Sequence, residues 1–232
     1  MSFPLDGVSL DEPILDGPRL RPAAGGAPEA LVVLLHGYGA DGRDLIDLGH
    51  AWASLLPRAA FVSPHAPEPC GQAPVGRQWF PLTFRDPHEL TRGAEAAAPL
   101  LRAFLETELA KLSLPPERFA LVGFSQGAMM ALKAGLADDF RPAGVVAFSG
   151  MWVDAATPRS IPFRDPPPIL MMHGEDDEVI PAQALFGSAK ALAAAGVPVE
   201  WHLSPGLGHG IDEAELALGG AFLAQCLGAK GR

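Results

Sequence analysis

The sequence predicts an α/β fold: a mostly parallel central sheet with helices on both faces and no large lid domain. Three observations predict it. Short apolar runs alternate with helical patterns along the chain, which is the signature of repeated βαβ units. The runs are continuous, as in Leu31-Val32-Val33-Leu34-Leu35, which suits parallel strands buried on both faces. One run, Phe119-Ala120-Leu121-Val122, ends in the turn Gly123-Phe124-Ser125-Gln126-Gly127 and passes straight into a helical pattern.

The elements follow in order. Residues 1–28 are rich in Pro, Gly and Asp; they either add an antiparallel edge hairpin or wrap the surface. Leu31–Leu35 is the first buried strand and Asp44–Leu56 the first helix. Ala59–Ser63 is a second strand. Pro64–Pro87 is the longest irregular segment, and loops of that length are usually functional or disordered. Glu89–Lys111 is helical, then Phe119–Phe124 is a strand and Ser125–Ala137 a helix. Gly144–Ser149 is the next strand. Thr157–Pro168 carries five prolines and reads as a loop. Ile169–Met172, Pro181–Ala195, Val197–Leu203 and Ile211–Leu227 complete the alternation. There is no internal repeat, and at 232 residues a single domain over residues 1–232 can bury a sizeable core.

Composition narrows the partners. The formal net charge of −10 argues against nucleic acid and anionic membrane surfaces. Met1-Ser2-Phe3-Pro4-Leu5-Asp6 lacks the features of a signal peptide. No apolar run approaches the length of a membrane span, so no stable membrane insertion is expected. The two cysteines, Cys70 and Cys226, make neither a disulfide framework nor a metal site. A reducing cytoplasm is the default. The histidines show no ligand spacing, so no metal and no cofactor are expected. A homodimer is compatible with the sequence.

The glycine-flanked serine carries the chemistry. A serine at the apex of a tight strand-to-helix turn matches the G-x-S-x-G nucleophile elbow. Its strained backbone and close neighbours require flanking residues without bulk, and glycine meets that need. The turn lifts the hydroxyl clear of the sheet and puts the first helical amides, Gln126 among them, beside it. An incidental serine in a glycine turn is the bland alternative; the strand before it and the helix after it argue against that.

An activated serine needs a base, and the base needs an orienting acid. Three histidines follow Ser125. His173 closes a strand and His202 lies within one. His209 sits in the glycine-rich loop Pro205-Gly206-Leu207-Gly208-His209-Gly210, where catalytic groups gather at the carboxyl ends of strands. It is the expected base. The acid is expected in Glu175-Asp176-Asp177-Glu178, four consecutive carboxylates, most of which are solvated. The lead into the next helix favours Asp177, while Asp176 stays open on local grounds. The oxyanion donors are expected at the amides of Gln126 and Tyr38. Glycines flank Tyr38 in the loop His36–Gly42, which lets its amide approach a substrate oxygen. His36 precedes the serine and reads as a structural brace.

The chain resembles the carboxylesterase/phospholipase branch of the α/β-hydrolases, which includes acyl-protein thioesterases and small bacterial carboxylesterases. The resemblance rests on Leu35-His36-Gly37-Tyr38-Gly39-Ala40-Asp41-Gly42, Gly123-Phe124-Ser125-Gln126-Gly127-Ala128, His173-Gly174 through Asp177 to Pro181, and Gly208-His209. It implies an α/β-hydrolase fold, Asp177 as the acid, and oxyanion donors at Tyr38 and Gln126. It also implies that Arg77-Gln78-Trp79-Phe80 lies near the acyl site. The early loop is similar to the bacterial esterase form; the thioesterases usually carry Gly-Leu-Gly-Asp there.

These readings converge on a serine hydrolase that cleaves small carboxylic esters of short-to-medium acyl chain through an acyl-enzyme. A thioesterase or lysophospholipase would use the same parts. A catalytically dead binding module would show a broken triad, and none of the three positions is broken. Trp79, Phe80, Met151, Trp152, Ile180 and Leu207 are the candidates for the acyl pocket. Without a lid, soluble or short-chain substrates are favoured over emulsified fat.

Overall fold

The computed structural model describes residues 15–71, 73, 75–83, 86, 88–137, 140–156 and 163–228. The elements run β1 (Arg19–Leu20), β2 (Ala30–Leu35), α1 (Gly42–Trp52), β3 (Ala59–Val62), β4 (Glu68–Pro69), β5 (Arg77–Gln78) and α2 (Glu89–Leu112). They continue β6 (Phe119–Phe124), α3 (Gln126–Gly135), β7 (Val145–Phe148), β8 (Ile169–Gly174), α4 (Gln183–Ala194), β9 (Val199–Ser204) and α5 (Glu213–Gly228). Among the described residues seven strands form one sheet in the order β1-β3-β2-β6-β7-β8-β9. Only β1 pairs antiparallel, against β3; the other pairings are parallel.

The apolar runs explain why the sheet is covered on both faces. Along β2, Leu31, Val33 and Leu35 face a core shared with Leu101 and Leu105 of α2, Met130 of α3 and Leu185 of α4. Val32 and Leu34 face the opposite core, shared with Leu45 and Trp52 of α1 and Phe222 and Leu223 of α5. Successive side chains of a strand point to opposite faces, so a run that is apolar throughout needs helices on each side. The parallel strands all end at one edge of the sheet. The loops after β2, β6, β8 and β9 therefore gather there.

The structure refines three expectations. The segment before β2 contributes a short antiparallel edge strand, with Arg19 tied to the buried Glu108 of α2 by bonds of 3.2 and 3.0 Å; residues 1–14 lie outside the described residues. Pro64–Pro87 is not wholly irregular, because β4 and β5 pair antiparallel within it. This small hairpin is fastened to the loop after β2: Gly39 N donates to Arg77 O at 2.9 Å and Arg77 N to Ala40 O at 2.8 Å. Helix α1 ends at Trp52 and not at Leu56: the Ala53 and Leu55 amides donate only three residues back, to His50 O at 3.4 Å and Trp52 O at 3.0 Å. Of the proline-rich Thr157–Pro168 loop, residues 157–162 lie outside the described residues and 163–168 are irregular.

Trp52 shows how close the packing is. Its Nε1 donates to Leu216 O at 2.8 Å, which draws the indole onto α5. A Cβ at Gly220 would stand 2.6 Å from Trp52 Cδ1. Gly220→Ala should therefore destabilise the fold by about 1–3 kcal/mol through overpacking, despite the better helix propensity of alanine. Gly187 is also helical but nothing lies within 4 Å of its added Cβ, so Gly187→Ala should stabilise by about 0.5–1 kcal/mol. Urea unfolding of the two variants checks this; equal effects of one sign would contradict it.

Candidate active site

Ser125 stands between β6 and α3 with φ 54° and ψ −119°. A non-glycine residue at positive φ is strained and is held there by its surroundings. Its amide donates to Phe148 O at 2.9 Å, and its carbonyl accepts from Ala128 and Met129. The flanking glycines are explained by crowding. A Cβ at Gly127 would lie 1.9 Å from Leu35 O, and one at Gly123 would lie 2.2 Å from Gly127 O. The loop after β2 lies directly alongside, since a Cβ at Gly37 would meet Ser125 Cβ at 3.3 Å. Tyr38 is the next residue of this loop. Gln126 opens α3, where helix amides have no intrahelical acceptor. Among the described residues neither the Tyr38 nor the Gln126 amide has a hydrogen-bond acceptor.

His209 and Asp177 meet across the neighbouring loops. His209 Nδ1 lies 2.7 Å from Asp177 Oδ2. The other carboxylate oxygen accepts from the Val179 and Ile180 amides, both at 2.9 Å. Asp176 was the open alternative; it is exposed, as are Glu175 and Glu178, while Asp177 is buried. Burial opposes ionisation of Asp177, yet the hydrogen bonds from His209, Ile180 and Val179 outweigh it and hold the carboxyl below its ordinary range. The His209 ring packs on Phe124, the residue before Ser125, with centroids 4.8 Å apart. The base loop is also pinned by Asp176 N to Leu207 O at 2.9 Å.

His36 and His173 brace this frame. His36 Nε2 accepts from Ala66 N at 2.9 Å, so its Nδ1 carries the proton and donates to Gly37 O at 2.8 Å; burial lowers its pKa and keeps it neutral. His173 is fully buried, with Nε2 2.7 Å from Ile180 O and 3.2 Å from Asp177 Oδ2. His202 lies on β9, the outer strand of the sheet.

The residues expected to line an acyl pocket divide into two groups. Met151, Ile180 and Leu207 are partly exposed around the acid and base loops. Trp79 and Phe80 are each only 2% exposed, so they support the site from behind and do not offer it an open wall. The reason is a set of buried hydrogen bonds that the sequence does not announce. The Gln126 side chain accepts from Trp79 N at 2.9 Å and donates to Phe80 O at 2.8 Å, and Trp79 Nε1 donates to His36 O at 2.9 Å. Trp152 is buried as well. It lines a separate cavity of about 540 Å³ between α2 and α3, beside Phe140 and Phe163.

Sequence reasoning also missed Glu215. This carboxyl is fully buried at the start of α5. Oε1 accepts from Ser204 Oγ at 3.2 Å, and Oε2 has no partner. Ser204 and Glu215 stand at the two ends of the loop that carries His209, so this bond closes the loop. Beside Asp212 and Glu213 at the start of a helix, Glu215 looks like an ordinary exposed acidic residue, and no local pattern marks it as buried. Among the described residues no group of His, Cys, Asp and Glu could hold a metal ion, and no helix is long and apolar enough to cross a membrane.

The chain is similar to proteins of one family along nearly its whole length. The phospholipase/carboxylesterase family matches residues 23–227. Esterase YpfH of Escherichia coli (strain K12) is 31% identical over 191 residues, covering 81% of this chain and 79% of that protein. Acyl-protein thioesterase 1 of Gibberella zeae is 29% identical over 235 residues, covering 90% of this chain and 95% of the relative. The crystal structure of esterase PE8 superposes with a TM-score of 0.85 at 41% identity, covering 92% of this chain and 99% of that one.

Burial raises the Glu215 carboxyl from 4.5 to about 7; the charge of Asp212 adds to this, and the Ser204 bond opposes it. A raised carboxyl favours the native state while protonated, and that contribution is lost as pH climbs from about 4.5 through about 7. Glu215→Gln cannot ionise and escapes this loss. Its melting temperature relative to the parent should therefore rise between about pH 5 and about pH 8. Thermal melts across that range check it; a pH-independent difference would contradict it.

Proposed function

The chain belongs to the phospholipase/carboxylesterase family, and from that premise we propose that Ser125, His209 and Asp177 are the catalytic triad of its carboxylic ester hydrolysis. One observation carries the reading: the strained Ser125 at the elbow shares a sheet edge with a His209–Asp177 pair closed at 2.7 Å. Ser125 Oγ attacks the acyl carbon as His209 Nε2 takes its proton. Asp177 holds the Nδ1–H tautomer of His209 and stabilises the imidazolium that forms. The Tyr38 and Gln126 amides bind the oxyanion, and losing one such donor typically costs about 100- to 1,000-fold in rate. His209 then protonates the leaving alcohol. Water enters, His209 removes its proton, and the acyl group leaves as the acid while Ser125 is restored.

The substrate proposed is a small ester with a short-to-medium acyl chain. Met151, Ile180 and Leu207 supply the partly exposed apolar surface for that chain, and Trp79 and Phe80 back it. A thioester is the second reading, favoured by the 29% identity to a protein named acyl-protein thioesterase 1; turnover of matched oxygen and sulfur esters of one acid separates the two. The cytoplasm is the proposed compartment, which suits two free cysteines, one of them buried.

Asp177→Asn should lower kcat by about 10⁴-fold, because asparagine presents the wrong partner to His209 Nδ1. Asp176→Asn should change kcat little, since Asp176 faces solvent. Steady-state kinetics on p-nitrophenyl acetate decides between them, and a crippled Asp176→Asn would move the acid by one position. For chain length, each buried methylene should raise kcat/KM by about fourfold, from a transfer free energy of about 0.8 kcal/mol, until the pocket is full. We expect a maximum at short-to-medium esters and a fall at palmitate. Met151→Ala should shift that maximum. A profile still rising at palmitate would mean a long acyl channel.

A further inference from the structure

β9 is the outer strand of the sheet at the end opposite β1. Its pairing with β8 fixes which backbone groups face inward. Ile169 N donates to Pro198 O at 2.8 Å and Glu175 N to Ser204 O at 2.9 Å. In a parallel pair both groups of a residue point to the same side and successive residues alternate. Even-numbered residues here therefore turn to β8, while Val199, Trp201 and Leu203 turn their N–H and C=O groups outward. Among the described residues these outward groups have no backbone partner. Exposed edges are normally blunted by proline, lysine or a bulge, and Val199-Glu200-Trp201-His202-Leu203-Ser204 contains neither of those residues. Apolar surface lies beside the edge instead. Trp201 is 52% exposed and Phe186 of α4 is 42% exposed, and their rings pack edge to face at 5.3 Å.

We propose that β9 is the seam of a homodimer, two copies of the strand pairing antiparallel about a two-fold axis at Trp201. The sequence of the strand is self-complementary in that register. The two Trp201 residues face each other and exchange both backbone bonds, and Val199 does the same with Leu203 of the second copy. Between them, Glu200 falls opposite His202 of the second copy. That pair is of the non-hydrogen-bonded kind, in which side chains stand closest. Symmetry makes the acid–imidazole pair twice. Moving the axis to Glu200 would set two carboxylates face to face, which is destabilising. On the other face, Trp201 and Phe186 of both copies bring their exposed rings together at the axis. The contact is isologous, so it closes at the pair.

Analytical ultracentrifugation of the full chain over a range of concentrations tests this. The parent should show a concentration-dependent dimer. Trp201→Glu, which puts two carboxylates on the axis, should sediment as a monomer throughout. Glu200→Lys should raise the dimer Kd about tenfold by setting lysine against His202. The exchanged variant, Glu200→His with His202→Glu, should recover the parent Kd to within about threefold, because it restores both pairs. Far-UV circular dichroism and hydrolysis of p-nitrophenyl acetate per chain should be unchanged in all of them. A parent that stays monomeric at every concentration would overturn the proposal. So would a dimer indifferent to Trp201→Glu, or an exchanged variant no tighter than Glu200→Lys.

Discussion

At Gly127 the first turn of α3 lies so close to the end of β2 that a Cβ would stand 1.9 Å from the Leu35 carbonyl oxygen. Much of the site depends on that approach. It holds the elbow against the loop after β2, where a Cβ at Gly37 would stand 3.3 Å from Ser125 Cβ. It carries Gln126 inward, where its side chain clasps the Trp79–Phe80 backbone. Trp79 in turn bonds the His36 carbonyl, and the β4–β5 hairpin is fastened to Gly39 and Ala40. A positive φ at Ser125 costs of order 1–3 kcal/mol. Buried contacts around the elbow, the Ser125 N to Phe148 O bond among them, offset that cost.

On the acid–base side, two buried carboxylates are held in opposite states. Asp177 is surrounded by donors: His209 and the Val179 and Ile180 amides, with His173 Nε2 close by. Burial alone would favour its neutral form, and the donors reverse that outcome. Glu215 has one donor, Ser204, and an unpartnered oxygen. Burial wins there, and the carboxyl is pushed up to about 7. The contrast suits the proposed triad, since an orienting acid must be ionised to stabilise an imidazolium. Glu215 instead closes the ends of the His209 loop.

The order of strands and helices was legible because the apolar runs are continuous and the turns between them are marked by glycine and proline. The placement of Ser125 and His209 at strand ends was legible for the same reason, each sitting in a glycine-rich turn. Asp177 was not separable from Asp176 by local pattern; the structure buries only Asp177 and bonds it to His209, which depends on how the loop folds over β8. Trp79 and Phe80 looked like an open apolar wall because nothing local shows that the Gln126 side chain will draw their backbone inward. Glu215 and the pairing of β4 with β5 depend on contacts across short loops that no local residue pattern marks.

The central claim is that one hydroxyl, that of Ser125, is made nucleophilic by this frame. Labelling with a fluorophosphonate followed by peptide mass spectrometry tests it most directly, because only an activated hydroxyl reacts readily. The account predicts a single adduct on Ser125, with loss of esterase activity in proportion to labelling. An adduct on another residue, with Ser125 unmodified and activity lost, would contradict it.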